Sequence, residues 1–162
     1  FDIPSLVAAH RNSGAMVTMA LWEVEDPSQF GIVGLSSTPN GDLDGTLEEG
    51  YIVRFLEKPK PEEAFSRVIN AGLYIIEPEV IEWINNNKNA TDFSTEVIPS
   101  FIGKIATWHN HSIHRDIGTI ESLLKAQQDF KPTLPWAEKD EWQISFDNHN
   151  IHRMINETQI IN

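Results

Sequence analysis

Two opposite charges close an apolar run in "RFLEKPKPEEAF": Glu57 and Lys58 follow Phe55 and Leu56 and stand directly before Pro59. The residue before a proline is steered out of the helical region, so an extended Lys58 is expected. Such a pair has two readings. It is solvated punctuation at a strand end, or it is two arms reaching for one polar ligand. A second candidate is "HRDIGT", where Asp116 follows a strand-like run and Gly118 and Thr119 lead into a helix. A carboxylate at such a junction can hold Mg2+ beside a phosphate, because hard cations take oxygen ligands. The plainer reading is that Asp116 caps the turn and Thr119 the helix. "HNHSIH" sets out His109, His111 and His114. In a strand His109 and His111 share a face while His114 points away. Two imidazoles can contribute to a zinc site, but no third ligand has a defined spacing, and packed or solvated histidines are the simpler account. His149 and His152 carry less still. No Ser-His-Asp order with a nucleophile elbow, no P-loop and no G-x-G-x-x-G occurs.

These groups need elements to hold them. "DIPSLVAAHRNSG" predicts a first helix, capped by Asp2 or Ser5, with Pro4 in its first turn and Gly14 at its end. "AMVTMALWEV" reads as a buried strand. "FGIVGLSS" reads as a second, weakened by two glycines, each of which can mark a bulge or a close approach to the backbone. "TPNGDLDGTLEEG" is a hairpin loop with an Asn-Gly step, and "YIVRFLEK" is the returning strand. "INAGLYII" is a further strand, and Pro78 opens the helix "PEVIEWINN". "DFSTEVIPSFI" predicts a short helix, begun by Asp92 or Ser94 and kinked or shortened by Pro99. "KIATWHNHSIHRDIG" is a strand pair or an extended crossover. "TIESLLKAQQDF" is a helix capped by Thr119, with an apolar stripe of Leu123, Leu124 and Ala126. Irregular alternation of strands and helices predicts an α/β fold, a mixed sheet with helices on its faces. Residues 1–130 form the main domain in this reading. Residues 131–162, opening with "KPTLPWAEKDEW", are a linker or tail, with a strand and a helix in "QISFDNHNIHRMINETQIIN". No internal repeat is present.

The 162 residues suffice for one domain with a real core. Lys and Arg number 12 against 24 Asp and Glu, a net charge of -12. That disfavours nucleic acid and anionic membranes as partners, though a small phosphate compound needs only local positive charge. There is no cysteine, which excludes disulfides and thiolate metal sites and fits a cytoplasmic setting. No apolar run approaches the roughly 20 residues of a membrane span, and no signal peptide is visible. The chain starts at Phe1 and is expected to enter a helix almost at once, which reads as a chain cut within a domain.

In series, "FGIVGL", "RFLEKP", "SRVINAGLYIIEPEVIEWI", "DFSTEVIPSFI" and "HRDIGTIESLLKAQQDF" follow the order and approximate spacing of the sugar-1-phosphate nucleotidyltransferases. The opening "DIPSLVAAHRNSGAMVTMAL" also resembles the stretch after the "GD" strand of that family, so the resemblance covers about residues 1–130. Mannose-1-phosphate guanylyltransferases and glucose-1-phosphate thymidylyltransferases are of this kind. The resemblance implies a Rossmann-like, GT-A-like nucleotidyltransferase fold. It implies that Glu57 accepts hydrogen bonds from sugar hydroxyls and that Lys58 meets the phosphate. Gly31, with Phe30 in place of the usual Tyr, would let the sugar approach the backbone. Asn70, Ala71 and Gly72 would line the sugar pocket. Asp116 would be one of two carboxylates holding Mg2+, and His114 stands where a Trp is common.

The family's Gly-rich loop, the Lys after it and the aspartate of its "GD" strand have no counterpart in the chain and would precede Phe1. The N-terminal nucleotide-binding unit is thus expected to be lacking. The expected reaction of the intact protein is sugar 1-phosphate plus NTP giving NDP-sugar and pyrophosphate, with Mg2+ as cofactor; the chain alone is expected to be inactive. A homo-oligomer is compatible with the resemblance. The rival reading is a non-catalytic module that binds a sugar phosphate or regulates a partner subunit.

Overall fold

The computed structural model describes residues 1–129 together with Ser145 and His149. The readings made for the tail therefore lie outside the described residues, apart from those two positions. The chain divides into two compact units, Phe1–Asp116 and Ile117–Asn162.

In the first unit α1 (Ile3–Ser13) starts where the Asp2 carboxylate accepts the Ser5 N–H at 3.1 Å, and ends at Gly14 in the left-handed region, φ 60°. Five strands follow: β1 (Val17–Glu23), β2 (Gly31–Ser36), β3 (Tyr51–Glu57), β4 (Val68–Ile76) and β5 (Ile105–His109). Helix α2 (Pro78–Asn86) opens on its proline, as expected. The strands close into a barrel in the order β1-β4-β2-β3-β5. The β1–β5 pairing is parallel, while β1–β4, β2–β3, β2–β4 and β3–β5 are antiparallel. Two closures are slight, a single bridge each at Ile32–Ile69 and Tyr51–Ala106.

Alternation along the strands splits the core in two. Val17, Met19 and Leu21 of β1 join Val33, Leu35, Ile52 and Ile105, and are covered by Val80 of α2 and by Val97, Ile98 and Phe101. On the other face Ala20 and Trp108 pack on Leu6 of α1. Each fully buried aliphatic side chain is worth roughly 1.5–3 kcal/mol over leaving it in water.

Two local readings change. The "DFSTEVIPSFI" stretch begins as one turn of π-helix (Phe93–Val97) and only then becomes the short α3 (Ile98–Ser100). Pro99 has no N–H to continue a regular ladder, and the Ile98 N–H reaches back five residues to the Phe93 carbonyl. The stretch after Lys104 holds a single strand, because the Asn110 side chain clamps Ser112: Oδ1 accepts its hydroxyl at 2.7 Å and Nδ2 donates to its carbonyl at 2.9 Å.

In the second unit α4 (Ile120–Gln128) has the expected Thr119 cap, whose hydroxyl accepts the Ser122 N–H at 3.1 Å. Its apolar stripe is not buried: Leu123 and Leu124 are exposed. Among the described residues no helix is long and apolar enough to cross a membrane.

Candidate active site

Glu57 is the last residue of β3 and pairs with Gly31, the first of β2. A Cβ built on Gly31 would lie 2.5 Å from Cζ of Phe55 and 2.6 Å from Oε2 of Glu57. The room created by this glycine is thus taken by the protein's own side chains. Any larger residue at Gly31 would have to displace the Phe55 ring and the Glu57 carboxylate.

Lys58 departs from the extended form expected before a proline. Its φ is +46°, the one positive value at a non-glycine among the described residues. Its N–H donates to the Phe30 carbonyl at 3.0 Å, which continues the β2–β3 ladder one step past the strand, and the chain then turns into buried Pro59. A left-handed residue with a Cβ costs about 1–2 kcal/mol, and such strain concentrates at functional sites. The result is an exposed Lys58 side chain beside a half-buried Glu57.

The "NAG" stretch is a bulge. Met19 pairs with Tyr74 and Leu21 with Asn70, so Ala20 alone faces the three residues from Ala71 to Leu73. Gly72 takes φ +74° there. Its N–H donates to Asn70 Oδ1 at 2.9 Å, and Asn70 Nδ2 donates to the Tyr74 hydroxyl at 2.5 Å. Asn70 and Gly72 thus act together, whereas Ala71 packs on the face of Leu6, Ala20 and Trp108.

Two residues that the sequence reading gave no site role complete the cluster. Asp92 caps the π-turn, its carboxylate accepting the Thr95 N–H at 2.7 Å. Tyr74 packs its ring on Phe93 with centroids 4.7 Å apart. Burial pushes the Glu57 carboxyl above the usual glutamate range; Lys58 opposes the shift and Asp92 adds to it. The Thr95 amide and hydroxyl hold Asp92 below the usual aspartate range, with Lys58 a lesser contributor. Burial raises the Tyr74 phenol, which also feels Glu57 and Asp92. Glu57, Lys58, Asp92, Tyr74 and Asn70 therefore share one electrostatic neighbourhood, from the end of β3 to the bulged stretch of β4. The sequence signal for Tyr74 was its place four residues after Asn70, and for Asp92 its capping position, but neither says what lies across the sheet.

Asp116 ends the first unit, exposed, on the segment that follows β5. Its charge acts on His114, whose imidazole is held below the ordinary histidine value mainly by burial. The His114 ring packs edge-on against Phe1 at 5.2 Å and Trp22 at 6.0 Å, so an aromatic packing role is kept at this position. His109 and His111 do stand together, rings 4.9 Å apart, yet no group of three candidate ligands able to hold a metal occurs among the described residues. A cavity of about 480 Å³ lies elsewhere, lined by Glu23, Gly34, Leu43, Asp44, Phe65 and Arg67 among others. None of Glu57, Lys58, Asn70 or Asp116 lines it, so the candidate site is placed by the Glu57–Lys58 cluster and not by volume.

A strained lysine, two carboxylates and the bulged amide of β4 thus make up the cluster, and the chain can be compared with known proteins. The nucleotidyl transferase family model matches residues 1–132. The chain belongs to the nucleotidyl transferase family, and among its relatives are enzymes named for sugar 1-phosphates. It is 33% identical over 132 residues to mannose-1-phosphate guanylyltransferase of Mycobacterium tuberculosis, covering 79% of this chain and 33% of that protein. Against the catalytic subunit beta of that enzyme in Drosophila pseudoobscura it is 37% identical over 100 residues, 62% of this chain and 23% of the other. UTP–glucose-1-phosphate uridylyltransferase of Synechocystis is 35% identical over 103 residues, 62% and 24% of the two chains. The chain thus spans about a quarter to a third of the length of these curated relatives. In fold it is similar to a Bacillus anthracis protein described as a glucose-1-phosphate thymidylyltransferase, crystallised with sucrose. That match has TM-score 0.62 and 20% identity, over 82% of this chain and 52% of the other.

Proposed function

We propose that this chain is the sugar-phosphate-binding part of a sugar-1-phosphate nucleotidyltransferase of GT-A-like fold, whose nucleotide-binding unit lies on a preceding segment. The observation that carries the proposal is a row across the sheet, in a chain of the nucleotidyl transferase family: Glu57 pairs with Gly31, and the next residue of β2, Ile32, bridges Ile69 beside Asn70. The reaction joins a phosphate oxygen of the sugar 1-phosphate to the α-phosphorus of an NTP. The bond from that phosphorus to the bridging oxygen breaks, and pyrophosphate leaves.

Two anions must meet in this step. Lys58 offsets their repulsion with a fixed ammonium next to the sugar phosphate, and its constrained backbone limits where that charge can go. Glu57, held in place over Gly31, accepts from sugar hydroxyls. Asn70 and the Gly72 backbone line the ring on the side of β4. Catalysis on this account is positioning and charge, with no covalent intermediate. Asp116 offers a hard oxygen ligand, which fits Mg2+, an ion usually fixed by one or two carboxylates together with substrate phosphates. When bound, Mg2+ neutralises developing phosphate charge.

The test is an assay of the 162-residue chain with each NTP, Mg2+ and a panel of sugar 1-phosphates, beside a longer product that includes a Gly-rich loop. The chain alone is expected to bind a sugar 1-phosphate without releasing pyrophosphate, and the longer product to release it. In the longer product Lys58→Ala should lose about 2–4 kcal/mol of transition-state stabilisation, by analogy with oxyanion donors. Pyrophosphate release by the chain alone would place the nucleotide site within it. Binding without turnover in the longer product would favour the regulatory module.

A further inference from the structure

We infer that Tyr74 is a positioning residue of this site: its hydroxyl holds Asn70 of the β4 bulge while its ring packs on Phe93 of the π-turn, and so it sets the shape that receives the sugar ring. The inference rests on the proposed function above, in which Asn70 and Gly72 face a sugar 1-phosphate.

Asn70 reads as a ligand-binding amide in sequence, but its hydrogen-bonding capacity is largely committed within the protein. Its Oδ1 accepts the Gly72 N–H at 2.9 Å and its Nδ2 donates to the Tyr74 hydroxyl at 2.5 Å. The Gly72 N–H fixes which way the amide points, because only Oδ1 can accept it. The Tyr74 oxygen is thereby an acceptor toward β4, and its own hydrogen is left to give. The Tyr74 ring packs on Phe93, in the π-turn that Asp92 caps. Burial raises the phenol, so the hydrogen is retained through neutral pH.

One line of contacts runs from the Gly72 amide through Asn70 to the Tyr74 hydroxyl, and from the Tyr74 ring to Phe93 in the π-turn. It joins two segments that no strand ladder joins, the bulge in β4 and the turn after α2. Both are irregular backbone: Gly72 stands at φ +74°, and the turn is π-helical, a form frequent at functional sites. Glu57 and Asp92 act on the same hydroxyl from the two sides. A small change there moves the Gly72 amide and the carboxylates together.

Tyr74→Phe removes the hydroxyl and keeps the ring packing on Phe93, so the fold should persist. Two measurements on the 162-residue chain decide the matter. The first is amide hydrogen exchange in the free protein. The Gly72 amide should exchange about tenfold faster in Tyr74→Phe, as the loss of one net hydrogen bond predicts, while the ladder amides of β1 and β5 stay unchanged. The second is calorimetric or NMR titration with mannose 1-phosphate, glucose 1-phosphate and, as a probe of Lys58 alone, inorganic phosphate. The dissociation constant for whichever sugar phosphate the wild type binds should rise about tenfold, with the affinity for inorganic phosphate unchanged. Unchanged Gly72 exchange in Tyr74→Phe overturns the inference, as does a sugar phosphate dissociation constant within twofold of wild type. Equal losses for sugar phosphate and inorganic phosphate also overturn it, since they report general damage. A wild type that binds neither sugar phosphate overturns the proposed function, and Gly72 exchange then decides by itself whether Tyr74 fixes the bulge.

Discussion

Glu57 is the residue at which burial and charge meet. Its carboxyl is raised mainly by burial, so the folded chain holds the proton more tightly than the unfolded chain does. Stability contributed by the protonated form is present at low pH and is lost as pH rises through the raised folded value. At neutral pH the ionised group sits in a partly desolvated place and weakens the fold slightly. Glu57→Gln is therefore expected to be more stable than wild type at pH 7, by less than about 1 kcal/mol, because the group is partly exposed and screened. The gap should close below pH 4.5, the ordinary glutamate value. Urea unfolding at the two pH values checks this, and a less stable variant at pH 7 would refute it. The spacing Glu57-Lys58-Pro59 pointed at this residue pair, but the left-handed Lys58 did not follow from it. The local rule for residues before proline gave way to the bond between the Lys58 N–H and the Phe30 carbonyl, 28 positions away in sequence.

At the scale of elements, α1 is held to the sheet by a polar clasp as well as by Leu6. His10 lies buried one turn after Leu6, with Nδ1 at 2.8 Å from the Thr18 hydroxyl of β1 and Nε2 at 3.0 Å from the Glu77 carboxylate at the entry to α2. Three elements therefore depend on one imidazole. His10→Ala leaves the fully buried Thr18 hydroxyl without that partner and opens a cavity, a combined cost of about 2–4 kcal/mol. His10→Gln should recover part of it by keeping one of the two bonds. Chemical denaturation of the three proteins measures the series; an alanine variant within 0.5 kcal/mol of wild type, about the scatter of a neutral surface change, would show that the clasp carries no load. The helix that carries His10 was legible from Pro4, Asp2 and Gly14. That Thr18 and Glu77 converge on it was not, since they come from separate elements.

For the molecule as a whole, closure of the barrel is the feature on which the site depends. The cluster at Glu57, Asn70 and Asp92 draws on β3, β4 and the turn after α2, and slight bridges hold two of the strand contacts. Ile52 supports this closure from β3. It is fully buried, pairs with Leu35 and accepts the Gly103 N–H at 2.9 Å through its carbonyl. Ile52→Ala is expected to cost about 2–5 kcal/mol, as large-to-small core changes do. Thermal unfolding followed by circular dichroism measures it. A shift in Tm of under a degree would mean that the core of the barrel closes over the missing atoms.

The sequence by itself determined the elements and the family. Strand runs, the hairpin loop with its Asn-Gly step, helix caps and the series of five motifs are local signals, set by residue type and short spacing. The residues that could bind a ligand were visible in the same way, because Glu57, Lys58, Asn70 and Asp116 are chemically conspicuous. Only the tertiary structure decided how these pieces meet. It gave the space over Gly31 to Phe55 and Glu57, made "NAG" a bulge held by its own asparagine, and brought Tyr74 and Asp92 into the neighbourhood of Glu57. The physical reason is that register and closure depend on contacts between residues far apart in the chain, whose energies are fixed by packing and burial that no short stretch of sequence contains.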